Sequence, residues 1–97
     1  MIIAKFDYLR RKQRGMCEIC NQPIGWWGVH THHKVANSKV NRFLYPKFLN
    51  SVWNLCLVHA KCHLNRPVPR ISIYEAEKRE KFLDRHPCIT KRLNFNV

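Results

Sequence analysis

Acidic residues are scarce in this chain. Six Asp and Glu stand against eighteen Lys and Arg over 97 residues, a formal net charge of +12 at pH 7 and a pI of about 10.0. That balance is too lopsided for a merely solvated surface and points to a polyanion, nucleic acid being the commonest. Long apolar runs are missing as well. Nothing approaches the roughly 18 consecutive apolar residues of a membrane-spanning helix, so a transmembrane segment is not expected. Met1-Ile2-Ile3-Ala4 passes at once into charge and lacks the apolar core of a signal peptide. The expectation is an intracellular protein, whose thiols stay reduced. Internal repeats, low-complexity tracts and interdomain linkers are also lacking, which leaves one small domain over residues 1–97. At this size only about two thirds of the unfolded surface can be buried, so a metal or a disulfide is commonly needed as a staple.

Cysteine is what the chain does have: five in all, an odd number, two of them in Cys17-Glu18-Ile19-Cys20. In a reducing compartment such spacing favours metal over disulfides. A structural zinc takes four ligands in a tetrahedron, typically two from each of two knuckles. Cys17 and Cys20 form the first knuckle. His59 and Cys62 repeat its two-residue gap and form the second. Cys56 is the rival fourth ligand, but its place in a strand suits a buried small apolar residue. Cys88 lies outside both knuckles. A redox CxxC is the competing reading, and no βαβ pattern surrounds the motif to support it.

The predicted elements are few. A basic helix spans residues 4–14, with Phe6, Leu9 and Tyr8 as its apolar stripe and Gly15 at its C-cap. Its other face carries Lys5, Arg10, Arg11, Lys12 and Arg14, and can lie along phosphates or simply meet solvent. Aromatic and β-branched residues between Ile24 and His33 predict a strand, with Trp26 and Trp27 packing in the core or against the knuckle. Residues 34–51 read as an irregular connection anchored by Phe43, Leu44, Tyr45, Phe48 and Leu49. A second strand is expected over residues 52–58, with Leu55 and Leu57 facing one way and Cys56 and Val58 the other. A helix begins at Ala60 and stops at Arg66, before Pro67 and Pro69. Ser72 with Glu75 makes a capping box for a helix ending near Arg85, packed through Ile73, Ala76, Phe82 and Leu83. Residues 87–97 read as a basic tail.

The remaining signal is His32-His33, followed by Asn54 and by Cys62-His63. Hydrolysing a phosphodiester needs an activated water, charge stabilisation at the phosphate and help for the leaving oxygen. A neutral imidazole takes a proton from water near pH 7, and a divalent metal stabilises the phosphate and leaving group. One free histidine, one metal with its ligands and a group to orient the histidine form the minimal kit.

From Leu9 to Arg66 the chain resembles an HNH endonuclease of the ββα-metal group, in particular the zinc-knuckle kind of phages and mobile introns. The resemblance rests on the basic lead-in from Arg10 to Gly15 with Cys17-Glu18-Ile19-Cys20, on His32-His33, and on Asn54-Leu55-Cys56-Leu57-Val58-His59-Ala60-Lys61-Cys62-His63. It implies a small α+β fold, a ββα-metal motif stapled by structural Zn2+ and flanked by N- and C-terminal helices. It further implies that His32 and His63 ligate a catalytic divalent metal, that His33 is the general base, and that Asn54 pins the backbone around it. Several relatives place a third metal ligand where this chain has Pro67, leaving Asn65 or water for that position. The connection from His33 to Asn54 is longer than in many relatives and lacks their glycine pair. His30 shares strand parity with His32, and is taken as a neighbour rather than a ligand.

The implied activity is nicking or cutting of DNA, giving 5′-phosphate and 3′-hydroxyl ends, with low intrinsic sequence specificity. Mg2+ or Mn2+ suits the hard phosphate, and the histidines also accept Ni2+, Co2+ or Zn2+. Double-stranded DNA is the expected partner, held by backbone contacts from Arg10, Arg11, Lys12, Arg14 and Lys34. The resemblance also implies a bacterial host's cytoplasm, other phage or mobile-element proteins as partners, and a monomer or weak dimer. The rival is a zinc-containing module that binds nucleic acid without cutting it. That reading explains the charge and the knuckles and leaves the histidines and Asn54 as coincidence.

Overall fold

Two short strands, β1 (Val29–His33) and β2 (Leu55–His59), pair antiparallel in a two-stranded sheet, with Val29 opposite His59 and His33 opposite Leu55. With helices packed around it, the sheet makes a small α+β fold. The computed structural model describes residues 2–25 and 28–95; Trp26 and Trp27 lie outside that set.

Helix α1 (Ile2–Lys12) precedes the sheet. It ends two residues earlier than its composition suggests, because Arg14 and Gly15 turn left-handed at φ 55° and 70°. The Gly15 amide donates back to the Arg10 carbonyl at 2.8 Å, closing the helix end. Leu9 is buried against β2 and the knuckle. Gln13 then serves the outer edge of β2. Its amide nitrogen donates to the Leu57 carbonyl at 2.8 Å, and its oxygen accepts from the Leu57 amide at 2.7 Å. One side chain thus satisfies backbone groups that a two-stranded sheet would leave open.

Both strands are shorter than expected. Ile24, Gly25 and Gly28 lie outside the strand, and Pro23 is bridged to Met16. Residues 52–54 form the turn into β2. Leu55, Cys56, Leu57 and Val58 are all buried, so both faces of β2 are covered, α1 packing against this strand as well as helix α3 (Ala60–Asn65). Sheets covered on both faces read as unbroken apolar runs.

The connection from β1 to β2 is less irregular than its composition suggests. It contains helix α2 (Lys39–Leu44), where the Ser38 hydroxyl accepts from the Asn41 amide at 3.1 Å. Tyr45, Phe48 and Leu49 are buried anchors as expected, whereas Phe43 is 84% exposed and Leu44 is exposed too. Helix α4 (Ile73–Arg85) opens on the capping Ser72, whose hydroxyl accepts from the Glu75 amide at 3.1 Å. Ala76 and Leu83 are buried, while Ile73 and Phe82 remain exposed. The expected tail is in fact another helix, α5 (Pro87–Asn94). Proline with its preset φ is favoured at the first helical position, so Pro87 starts a helix rather than merely ending one. Leu93 packs against both apolar clusters, its carbonyl accepts from the Val52 amide at 3.0 Å, and Phe95 meets Tyr8 edge-on at 5.8 Å. Among the described residues, no helix is long and apolar enough to cross a membrane.

Candidate metal centre and histidine cluster

The CxxC turn sits beside the end of β2, held there by backbone contacts. The Glu18 amide donates to the Leu57 carbonyl at 3.2 Å, and the His59 amide donates to the Cys17 sulfur at 3.3 Å. Cys17, Cys20, His59 and Cys62 consequently converge, with one ligand atom from each lying within 4.8 Å of the others. Cys20 Sγ is 3.3 Å and Cys62 Sγ 3.9 Å from His59 Nδ1. His59 Nε2 donates to the Pro23 carbonyl at 3.0 Å, which leaves Nδ1 bare for a metal. Burial alone would raise the Cys17 thiol. Hydrogen bonds from the backbone of Cys20, His59 and Ile19 and from the Cys20 side chain outweigh it and bring the thiol down to about 6. Burial and the neighbouring thiols push Cys62 up to about 11. A cation would reverse that penalty by binding the thiolate. Three thiols and one oriented imidazole are the donor set of a structural zinc, and this cluster could hold one. Cys56 stands outside it, paired with His32 across the hairpin, its thiol pushed up to about 11 by burial. Cys88 is exposed on α5.

Helix α3 makes a single excursion from β2 and carries two chemistries on consecutive residues. Cys62 turns to the cysteine cluster, and His63 turns to β1. His63 Nε2 lies 3.1 Å from His32 Nδ1. The other nitrogen of His32, Nε2, donates to the Pro69 carbonyl at 2.8 Å. The segment after α3, stiffened by Pro67 and Pro69, therefore returns a carbonyl to the strand. Burial holds His32 below the usual imidazole range. The Pro69 carbonyl pulls the other way, and His63, His33 and Arg70 add repulsion that again lowers it. A neutral His32 with its proton on Nε2 presents a bare Nδ1 to His63. Asn65 borders the cavity on the cysteine side, with Cys20, His59 and Cys62, rather than the histidine pocket. His30 is the surprise. Set aside by sequence as a mere neighbour, it brings Nδ1 to 3.3 Å from His63 Nδ1.

His33 occupies the last pair of the hairpin, opposite Leu55. Its Nε2 donates to Asn50 Oδ1 at 2.9 Å, leaving Nδ1 free. Asn50 is held in turn by Lys5, whose ammonium donates to the Asn50 carbonyl at 2.8 Å. Asn50 belongs to the long connection over residues 34–51, where no spacing marks it as a partner of His33. Asn54 is fully buried behind these groups. Its Oδ1 accepts from the Val35 amide at 2.8 Å, and its Nδ2 donates to the carbonyls of Val35 at 3.2 Å and Leu49 at 2.8 Å. One amide thus clamps the chain just after His33 to the chain just before Asn50. His32, His33, His63 and Asn37 border a shallow pocket of about 260 Å³. On its far side His33 also borders a cleft of about 600 Å³ with Lys5, Asn50 and Asn94.

The basic residues divide. Arg10 is half-buried and, with Arg11 and Arg14, borders a surface hollow together with Asp7 and Gly15. Lys12 is exposed but borders a different hollow, beside Trp53 and Arg79. Lys34 is half-buried at the end of β1, its amide bonded to the Asn54 carbonyl at 2.8 Å. Comparison of the chain with family models, curated proteins and solved structures finds no match.

Proposed function

We propose that the protein is a metal-dependent DNA endonuclease of the HNH kind, in which the β1–β2 hairpin and α3 form the ββα-metal motif. The observation that carries this reading is the pair of inward-facing nitrogens, His32 Nδ1 and His63 Nε2, 3.1 Å apart beside His33. Two nitrogens bound at about 2.0–2.1 Å to one ion lie roughly 3 Å from each other, so the spacing fits a shared cation. Imidazole donors favour Ni2+, Co2+ or Zn2+, with Mn2+ next and Mg2+ the poorest fit. Such an ion, when bound, supplies positive charge to the scissile phosphate and the departing oxygen.

The chain's own residues do the rest. His33, with Nε2 given to Asn50, takes a proton from water on Nδ1. Asn54 holds the backbone from which that ring projects. Arg10, Arg11, Lys12, Arg14 and Lys34 supply backbone attraction for double-stranded DNA without a module for reading bases. The cysteine cluster, filled with Zn2+, staples α3 to the knuckle and so holds His63 in place.

A supercoiled plasmid incubated with the protein in EDTA, Mg2+, Mn2+, Co2+ or Ni2+ tests the reading. Conversion to open circle in the transition metals and none in EDTA is expected. Retardation of the plasmid without nicking in any metal would replace the nuclease with a zinc-containing nucleic-acid-binding module.

A further inference from the structure

His30 and His32 lie on the same face of β1, two residues apart, and the ring of His63 stands between them. Its centroid is 5.5 Å from that of His30, nearly perpendicular at 88°, and 5.0 Å from that of His32. The two neighbours meet different nitrogens of the one ring: His32 faces Nε2 and His30 faces Nδ1. The nitrogens of an imidazole diverge, so an ion shared by His32 and His63 Nε2 lies on the side of the ring away from His30. His30 therefore has the place of an outer partner, not of a ligand.

We infer that His30 is a positioning residue, whose Nδ1 accepts the Nδ1 proton of His63 and thereby presents His63 Nε2 bare toward His32. An imidazole in its neutral form has one proton and two places for it. On Nε2 the proton fills the gap to His32 and blocks a cation. On Nδ1 it is held by His30 and the gap is open. His32 is set the same way by the Pro69 carbonyl, so each member of the inner pair has its outer nitrogen engaged. Outer partners of this type commonly govern metal affinity by roughly ten- to hundredfold. The inference rests on the metal site proposed above and concerns how that site is prepared.

The test is titration of Co2+ into protein whose cysteine cluster is already filled with zinc. It follows heat and visible absorption for the native chain, His30→Ala, His30→Asn and, to mark the site, His32→Ala. The amide oxygen of asparagine reproduces an Nδ1 acceptor but is a poor ligand for Co2+. A His32-dependent site is expected to weaken roughly ten- to hundredfold in His30→Ala and to recover most of its affinity in His30→Asn, with one absorption spectrum throughout. Unchanged affinity in His30→Ala overturns the inference. So does an asparagine variant as weak as alanine, or one with an altered spectrum, since either makes His30 a ligand or a bystander. A native chain that takes up no cobalt beyond the cysteine cluster overturns the metal site itself, and His30's role with it.

Discussion

At the scale of single residues, two backbone carbonyls and one amide side chain around the hairpin act by removing choices from histidines. Pro69 engages one nitrogen of His32, Asn50 one of His33, and Pro23 one of His59. What remains on each ring is a single bare nitrogen with a fixed direction. Asn50→Ala is expected to lower the rate of cleavage about tenfold or more, within the range general-base catalysis contributes, while DNA affinity stays the same. Steady-state kinetics on a short duplex separates the two, and a rise in KM alone would assign Asn50 to binding. Asn54→Ala removes a buried amide with three backbone partners. A loss of roughly 3 kcal/mol in urea denaturation is expected, since buried amides and carbonyls left unpaired each cost about 1–3 kcal/mol. Wild-type stability in that variant would mean that the loop holds itself.

At the scale of elements, α3 joins the cysteine cluster to the histidine cluster. Cys62 and His63 are neighbours, so a cation on the cysteines would fix the backbone that carries His63. A structural zinc commonly supplies on the order of 10 kcal/mol, comparable with the whole stability of a domain this size. Stripping zinc with a strong chelator is therefore expected to abolish the cooperative thermal transition, and Cys62→Ser to do the same. A zinc-free chain that still melts sharply would make the cluster dispensable. Helix α5 has a similar part on the other side, where Leu93 joins both apolar clusters. Leu93→Ala is expected to cost about 1–2 kcal/mol for a half-buried leucine, measured as a shift in the urea midpoint.

How far these elements were legible in sequence follows from how local their signals are. The knuckles are spaced turns, and Cys17, Cys20, His59 and Cys62 come together as their spacing suggests. The capping pattern at Ser72 and the glycine after α1 are likewise contained in a few residues. Residues 87–97 read as a tail for want of a local helix signal beyond Pro87, which is suited to a helix start, and Ile89 and Leu93, which repeat at helical spacing. Cys56 is buried as its place in a strand suggests, and the apolar run from Leu55 to Val58 fits a strand covered on both faces. His30 had the right parity for the cluster. Its contact with His63 depends on where the short helix α3 lands, and Asn50 meets His33 only through the fold of the long connection. Neither relation is written in spacing.

At the scale of the molecule, an excess of positive charge surrounds a small folded body, and it bears on affinity rather than chemistry. Binding to duplex DNA is expected to weaken steeply with salt. Arg11→Gln and Arg14→Gln should each flatten the dependence of log K on log salt by about one, alike on unrelated sequences. Fluorescence anisotropy across a salt series measures this, and an unchanged slope would take that arginine off the DNA. The chemistry is separable from the charge, because His33 contributes little to the field and everything to the proposed proton transfer. The most direct measurement compares His33→Ala with the native chain in one preparation, scoring zinc content, duplex affinity and plasmid nicking in Ni2+ and Mn2+. Zinc and affinity should be unchanged and nicking should fall by roughly 10²–10⁴-fold. Nicking at the native rate in the variant would contradict the assignment of His33 as the base, and with it the proposed active site.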